Sequence, residues 1–581
     1  MKCGFFIFFL FFIPPFCLCL DLPIELEPIV IEKESNDPSF PGSLISDDLK
    51  GLPFDSCEGI LEYSSGLDLR KRAGFAIQQD LSIRGSVFED NKVLVNGLEI
   101  NDPQTGHYSL EIPFTAADLQ EVRLKKNEQS VNFVLKKPLS SGGFLRSSFG
   151  QHALFENLLS VNFPVKDLKN RISFERKKSK GARRDTDFDI YNMSFDSFYE
   201  TELKEFEFIY GLGKKEFGAN GFYAWPNFTQ EEEHIVQHFS SMRALFKEDH
   251  FNFELMPFFR KHFDKFVLDR HNPSFYTNYH TTYIYGLDSK IDFKELGLWL
   301  GLGRRSEKIS STNLNDHARR LKSFSVGFNP REVGNFMFSG SLKACSYSNW
   351  GWVSSFGFNA GYFLSRNLRL KFSFDKTHRL PSFTELFYLS PSNQGNPFLE
   401  VQKMNNFQWS LEYLNADFRS ALSLFLREQE DTIDWVKNLQ GAAWQAQNVG
   451  DINSRGVEID FDIDFKDFFL QAIAFKYSFL ELDQRRSYRY SKYLFNFLKH
   501  RLLIGPKIDI KDYLTLRPVV IFEKPKERPS RTVFNLNITY KINNDFSLFL
   551  EAENLLDSKF QELEGIDAGP RWFKGGISYK F

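Results

Sequence analysis

Cysteine is scarce. Five occur in 581 residues, and three of these, Cys3, Cys17 and Cys19, lie in the first twenty. The other two, Cys57 and Cys345, stand 288 positions apart (345 − 57), which excludes a disulfide framework. No CxxC or Cys/His cluster suggests zinc. Long apolar runs are also missing: after residue 20 none reaches the roughly 18 residues of a transmembrane helix. Charge of one sign is not in excess, since 72 − 75 = −3, and this argues against a nucleic-acid partner. No G-x-S-x-G, H-E-x-x-H or Walker sequence occurs, and the eleven His are scattered. The reading is of a protein that is not an enzyme, with no catalytic residue, no metal and no cofactor.

What is abundant is aromatic. Phe, Trp and Tyr make 16% of the chain, with 66 Phe and 21 Tyr, yet mean hydropathy is −0.35 and only 42% of residues are apolar. A polar average with so many rings fits a transmembrane β-barrel, in which only alternate residues face lipid and aromatic girdles mark the interfaces.

The chain divides by character. In residues 1–20, Lys2 precedes the apolar block 5–13, Pro14, Pro15 and the small-x-small triplet Cys17-Leu18-Cys19, a pattern of a cleavable secretory signal. Residues 21–45 are acidic and Pro-containing without helical period, and read as a flexible arm. Within it EPIVIEK (27–33) is a short β-branched run, either linker or a strand offered to a partner's sheet edge. Residues 46–137 read as a small mixed α/β domain. Asp55 and Glu58 form a D-x-x-E cap before Ile60, Leu61 and Tyr63, and Gly66 is a helix stop. LSIRG (81–85), KVLVNGLEI (92–100), LQEVRL (119–124) and VNFVL (131–135) follow as short strands.

From residue 143 to 581 the period is two. Val457, Ile459, Phe461 and Ile463 alternate with Glu458, Asp460, Asp462 and Asp464. Leu368, Leu370, Phe372 and Phe374 alternate with Arg369, Lys371, Ser373 and Asp375, and residues 533–542 behave alike. Crowded carboxylates on one face can suggest glycoside hydrolysis, but here they read as solvated lumen charge. So many half-apolar strands, with no helix pattern to cover them, predict a barrel that is apolar outside and polar within. Strands of about ten residues plus connections give about 22 strands, a lumen wide enough to need a filling. The fold class is therefore all-β: a transmembrane antiparallel β-barrel at residues 143–581, filled by a mixed α/β plug at 46–137.

With these segments in order, the chain resembles the TonB-dependent outer-membrane receptors. EPIVIEK resembles the energy-coupling box, placing it on Glu27, Pro28, Ile29, Val30, Ile31 and Glu32. LSIRG and KVLVNGLEIND resemble the plug signature, with Asn96 where Asp is common. LQEVRL resembles a further plug strand. In the wall, HRLPSFTELFYLSPSNQGNPFLEVQKMNNFQWSLEY (378–413), NVGDINSRGVEID (448–460) and the terminal LFLEAENLLDSKF…GISYKF (548–581) are similar to family stretches. One departure is that LKKN (124–127) runs almost directly into EQSVNFVLKKP, which predicts a plug short by roughly a dozen residues.

The resemblance implies an outer-membrane location, lipid around the wall, and TonB with its inner-membrane complex as partner. It implies energy-coupled import of a scarce ligand, a corrinoid first and a ferric siderophore second; the alternative is a binding or adhesion receptor without transport. It also implies that Arg84 ties the plug to the wall, with Glu385 as the candidate partner. The turn NDPQTGHY offers Asn101, Gln104, Thr105 and His107 as outward contacts. Tyr223 and Trp225 in GFYAWPNF are candidates to stack on a flat ligand, or are girdle aromatics. Asp185, Asp187 and Asp189 form either an acidic strand end or a set of oxygen ligands for Ca²⁺.

Overall fold

Alternation on a pleated strand puts polar residues on one face and apolar ones on the other, and closing such a sheet removes its exposed edges. The computed structural model describes residues 44–45, 56–72, 75, 77–223, 228–466, 468–484, 488–494, 496–563 and 566–581. The expected signal at 1–20 and the box at 27–32 lie outside them.

Twenty-two strands pair antiparallel into one closed barrel, beginning at Gly142–Gly150 and ending at Trp572–Lys580. The last strand pairs with the first, Gly576 opposite Ser148 and Tyr579 opposite Leu145. Phe581 completes the seam: its N–H donates to the Gly143 carbonyl at 3.0 Å, and its own carbonyl accepts from Gly143 N at 2.6 Å. Facing directions follow the sequence pattern. Along Phe188–Glu200, Asn192, Ser194 and Asp196 are buried toward the lumen, while Met193 is exposed outward. Along Leu298–Ser311, Leu298, Leu300 and Leu302 are exposed on the outer face.

The strands outrun a bilayer. Phe251–Val267 has 17 residues, about 56 Å at ~3.3 Å per residue, whereas about 9–11 tilted residues span the hydrocarbon. The excess builds a tall rim. At one end turns are short, as at Lys166-Asp167 between two strands. At the other end segments such as 380–401 and 431–451 are long, the arrangement of external loops. They carry a short α-helix, Phe383–Phe387, and a four-stranded sheet in the order Asn393–Gln394, Trp444–Asn448, Ile433–Lys437, Tyr490–Ser491.

The lumen holds the N-terminal unit. Its five-stranded sheet runs Leu44–Ile45, Leu119–Lys125, Ser130–Leu135, Lys92–Val95, Leu98–Glu99, with the third and fourth strands parallel. Asn96 (φ 47°) and Gly97 (φ 84°) make the left-handed two-residue turn that a tight hairpin needs. The sheet and the hairpin Leu67–Lys71/Gln79–Ile83 enclose a core that includes Ile60, Leu61, Val93, Val122 and Phe133, joined by Phe239 and Ile284 from the wall.

Three expectations change. The arm read as 21–45 ends in structure, because Leu44–Ile45 pairs with the edge strand Leu119–Lys125. The segment read as a capped helix is a 3₁₀ helix, Glu58–Tyr63, at whose start Ser56 Oγ accepts from Gly59 N at 3.2 Å; Asp55 lies outside the described residues. Where the resemblance implied a shortened inner segment, a turn at 126–129 joins Leu119–Lys125 directly to Ser130–Leu135, and both strands form.

The seam is testable. Deleting Phe581 removes two backbone hydrogen bonds, each contributing about 1 kcal/mol. The fraction of protein that migrates as the folded, heat-modifiable band on unboiled gels is expected to fall several-fold.

Candidate functional site

A polar lumen can hold a domain only where buried charges find partners, since an unpaired buried ion is costly. The plug meets that condition around its circumference with a consistent polarity. Its carboxylates face wall cations: Asp118 meets Arg171 at 3.1 Å, Glu111 meets Lys215 at 2.7 Å, Asp90 meets Arg379 at 2.9 Å, and Asp102 meets Arg260. Asp118, fully buried, also accepts from Ser173 Oγ at 2.6 Å and Ser194 Oγ at 2.8 Å. Plug carbonyls are used the same way. Arg427 donates to Ile83 O at 3.2 Å, and Arg501 donates to Ser64 O at 2.7 Å.

The sign reverses where Lys137 meets Glu205 of the wall at 3.2 Å and, more fully buried, at Glu458. Arg84, in a left-handed turn (φ 52°), sends Nε to Glu458 Oε1 at 2.9 Å and Nη2 to Glu458 Oε2 at 3.0 Å. Its Nη2 also donates to Gln408 Oε1 at 2.8 Å, and the guanidinium lies 4.2 Å from the Phe425 ring centre. Lys126, at the tip of the 126–129 turn, adds a second cation 3.0 Å from Glu458 Oε2 and donates to Ser65 Oγ at 2.8 Å. Ser65 Oγ in turn donates to Asp460 at 2.8 Å. Gly66 (φ 68°) lets the backbone pass close to Glu458, where a Cβ would collide with the carboxylate. Asn127 donates to Asp375.

The expected pairing of Arg84 with Glu385 is therefore corrected. Arg84 meets Glu458, on the strand Ile452–Asp464, and Glu385 meets Arg379 at 2.8 and 3.1 Å. Glu458 and Asp460, read as solvated lumen charge, are buried between plug and wall.

The candidate ligand residues divide. Asn101 is a staple of the plug: its Oδ1 accepts from Val93 N at 2.8 Å, and its Nδ2 donates to Asn91 O at 2.7 Å. Gln104 and Thr105 are buried beneath the loop helix, whose Phe383 and Thr384 N–H groups donate to Pro103 O and Gln104 O at 2.8 and 3.0 Å. His107 and Tyr223 do come together, ring centres 6.2 Å apart and edge to face. His107 stacks on Phe88 at 4.2 Å and places Nδ1 2.6 Å from Asp80, which also binds Arg72 at 3.1 Å. Burial raises the Asp80 carboxyl, but His107 and Arg72 outweigh it and hold it well below the usual range. Tyr223 donates to Glu233 at 2.8 Å. Trp225 lies outside the described residues.

The Asp185, Asp187 and Asp189 triplet binds arginines. Arg270 takes Asp187 at 2.6 Å and Asp185 at 3.5 Å, and Arg176 takes Asp189 at 2.9 Å. Among the described residues no group of three side chains could hold a metal ion.

Sequence reading missed Asp90, Asp102, Asp118, Arg260, Arg379 and Arg427. One signal was present: Ser382-x-x-Glu385 is a capping box, and the helix it opens is the one that lies on the plug.

Two outcomes follow from this geometry. Glu458→Gln leaves Arg84 and Lys126 facing a neutral group, at a cost of order 3–5 kcal/mol before lumen water softens it. Planar-bilayer recordings are expected to show raised conductance for Glu458→Gln and a silent barrel for Glu385→Gln. The second outcome concerns pH. Burial and then the Glu385 carboxylate push the half-buried Glu89 of the plug up to about 8. A raised carboxylate contributes stability that is complete below its unfolded value near 4.5 and is lost as pH rises through about 8. Exchange of the Phe383 and Thr384 amides, corrected for intrinsic rate, is expected to be faster at about pH 9 than at about pH 6, and Glu89→Gln should remove the difference.

Comparison with known proteins bears on this geometry. The model of the TonB dependent receptor-like β-barrel family matches residues 157–555. A search of curated proteins finds no match. Solved structures with the same fold include the siderophore receptor PirA from Acinetobacter baumannii, at 14% identity and TM-score 0.76, covering 93% of this chain and 98% of that one. The ferric enterobactin receptor PfeA from Pseudomonas aeruginosa, as a mutant bound to enterobactin, aligns at 16% identity and TM-score 0.75, covering 94% and 100%. The FrpB iron transporter from Neisseria meningitidis aligns at 11% identity and TM-score 0.75, covering 93% and 100%. With the family model matched over well over half of its length, the chain belongs to the TonB dependent receptor-like β-barrel family, transport receptors of the outer membrane.

Proposed function

We propose that this protein is an energy-coupled importer that takes a ferric siderophore from outside and admits it by displacing the plug. One observation carries the reading: the closed lumen is stopped by a domain that meets the wall through a set of buried ion pairs and hydrogen bonds. Such contacts can be exchanged for water, so a plug held this way can shift without dissolving the barrel. The barrel keeps its own closed strand pairing throughout.

Three further features support the ligand class. The outer loops interleave cations with rings: Lys437 sits 4.3 Å from the Trp444 ring, Lys492 5.4 Å from Tyr493, and Arg489 5.6 Å from Tyr490. Burial, reinforced by Arg72, lowers the Lys492 ammonium to about 8. This chemistry suits an anionic, ring-bearing iron chelate, and iron or siderophores stand in the names of the structural neighbours. A corrinoid, first on sequence, has no comparable support here and becomes the second arm of the test.

In this reading residues 1–20 direct export, 21–45 form the arm, 46–137 the plug and 143–581 the wall. Glu27, Pro28, Ile29, Val30, Ile31 and Glu32 add a strand to TonB in the periplasm. Relatives in this family are receptors and transporters, and no catalytic role is assigned.

The test is uptake of labelled ferric chelates and of cobalamin by cells carrying the protein, with and without a protonophore. Energy-dependent uptake of a ferric chelate is the expected result. Binding without uptake supports a receptor that does not transport, and uptake of cobalamin alone reassigns the ligand. Replacing Ile29 or Val30 by Pro removes a strand-forming N–H. Binding should persist in those variants while uptake falls to background.

A further inference from the structure

Arg379 ends the wall strand Leu368–Arg379, where its fork is divided among three elements. Its Nε donates to Asp90 Oδ1 of the plug at 2.9 Å. Nη1 and Nη2 donate to Glu385 of the loop helix at 2.8 and 3.1 Å. Nη2 also reaches the Ile433 carbonyl of the outer sheet at 3.4 Å. Arg379, Asp90 and Glu385 are all buried.

Glu385 has a second duty as the capping-box residue, accepting from Ser382 N at 2.8 Å. The loop helix in turn is finished by the plug. Two of its leading amides, Phe383 and Thr384, have no intrahelical acceptor and donate instead to Pro103 O and Gln104 O. Helix and plug apex therefore complete each other's hydrogen bonding. One guanidinium serves two buried carboxylates from different elements. If it follows Glu385, Asp90 keeps only neutral donors, among them Gln402 Nε2 at 3.1 Å and Val87 N at 3.3 Å, and if it follows Asp90, Glu385 keeps only Ser382; either way a buried carboxylate loses its cation, a penalised state. Partial release is thus disfavoured, and the arrangement has two favoured conditions: all contacts made, or all broken.

We propose that Arg379 is a positioning residue that makes the outer loop and the plug apex let go together, so that displacement of the loop helix by a ligand is passed to the plug. The proposal rests on the import reading, because it gives that displacement a use. It also accounts for Gln104 and Thr105 being covered: they become reachable only after the helix lifts.

The test is amide hydrogen exchange on the purified full chain in detergent micelles, with no ligand present. Glu385→Gln alters the loop and Asp90→Asn alters the plug. The expected result is reciprocal: Glu385→Gln speeds exchange in plug residues 86–91, and Asp90→Asn speeds it at 383–387, each by roughly tenfold, with wall strands unchanged. The double variant should add little to either single one. Arg379→Lys, a point charge without the planar fork that bonds Asp90 and Glu385 from separate nitrogens, should fall between wild type and Arg379→Met. Exchange that rises only in the mutated segment, or full protection in Arg379→Lys, overturns the proposal. If Arg379→Met does not fold, the two carboxylate variants and their double still decide. Because this readout needs neither ligand nor energy, coupled exchange in a protein that imports nothing would keep the latch and reject the import reading.

Discussion

Everything in this molecule depends on one electrostatic constraint: charges placed on the inner face of a barrel must be paired once a domain excludes water from that face. The lumen is polar because the outer face is apolar and strands alternate. A plug of ordinary apolar surface would leave that lining unsatisfied. This plug instead carries Asp90, Asp102, Glu111 and Asp118 toward wall Arg and Lys, and Arg84 with Lys126 toward Glu458. The reversed patch matters because a ring of identical pairs would fit in several rotations. With the opposite sign at Glu458, a rotated plug would set Arg84 and Lys126 against wall cations.

The same constraint links structure to movement. Ion pairs hold the domain while water is excluded and can be exchanged for water when it shifts. Apolar contacts add to them at several points: Phe239 and Ile284 meet the plug core, Val87 meets Phe425 and Leu480, and Tyr63 meets Leu503 and Ile521. The barrel needs none of these contacts, since its strands close on themselves through the seam at Gly143 and Phe581. Separate sources of cohesion for wall and filling are what allow one to move inside the other.

The turn at 126–129 carries two of the plug's contacts with the wall. The two flanking strands pair as a direct hairpin, and its tip supplies Lys126 and Asn127 to the wall. Lys126 thereby becomes a second cation on Glu458, sharing the burden of Arg84. The outer end of the plug is treated differently: the 383–387 helix covers it, so His107 and Tyr223 stay near the surface while Gln104 and Thr105 do not.

Local alternation was enough to assign the wall, its approximate strand number and its polar interior, because side-chain facing has period two and needs no tertiary information. The strands within 119–135 were legible for the same local reason, whereas the run 92–100, read as one strand, is split by the left-handed Asn96-Gly97 turn. The family resemblance marked Arg84 as the residue tying plug to wall. Its partner was not legible. Period two says that Glu458 points inward, but not which of twenty-two strands stands opposite residue 84, some 374 positions away. Glu385 was the wrong choice because its nearest cation is Arg379, six residues back on its own segment. Asn101 looked like a ligand contact for want of its backbone partners, Val93 N and Asn91 O, which only folding supplies. Which charges meet across the lumen is set by the rotation of the plug within a closed ring, and that angle exists only in the tertiary structure.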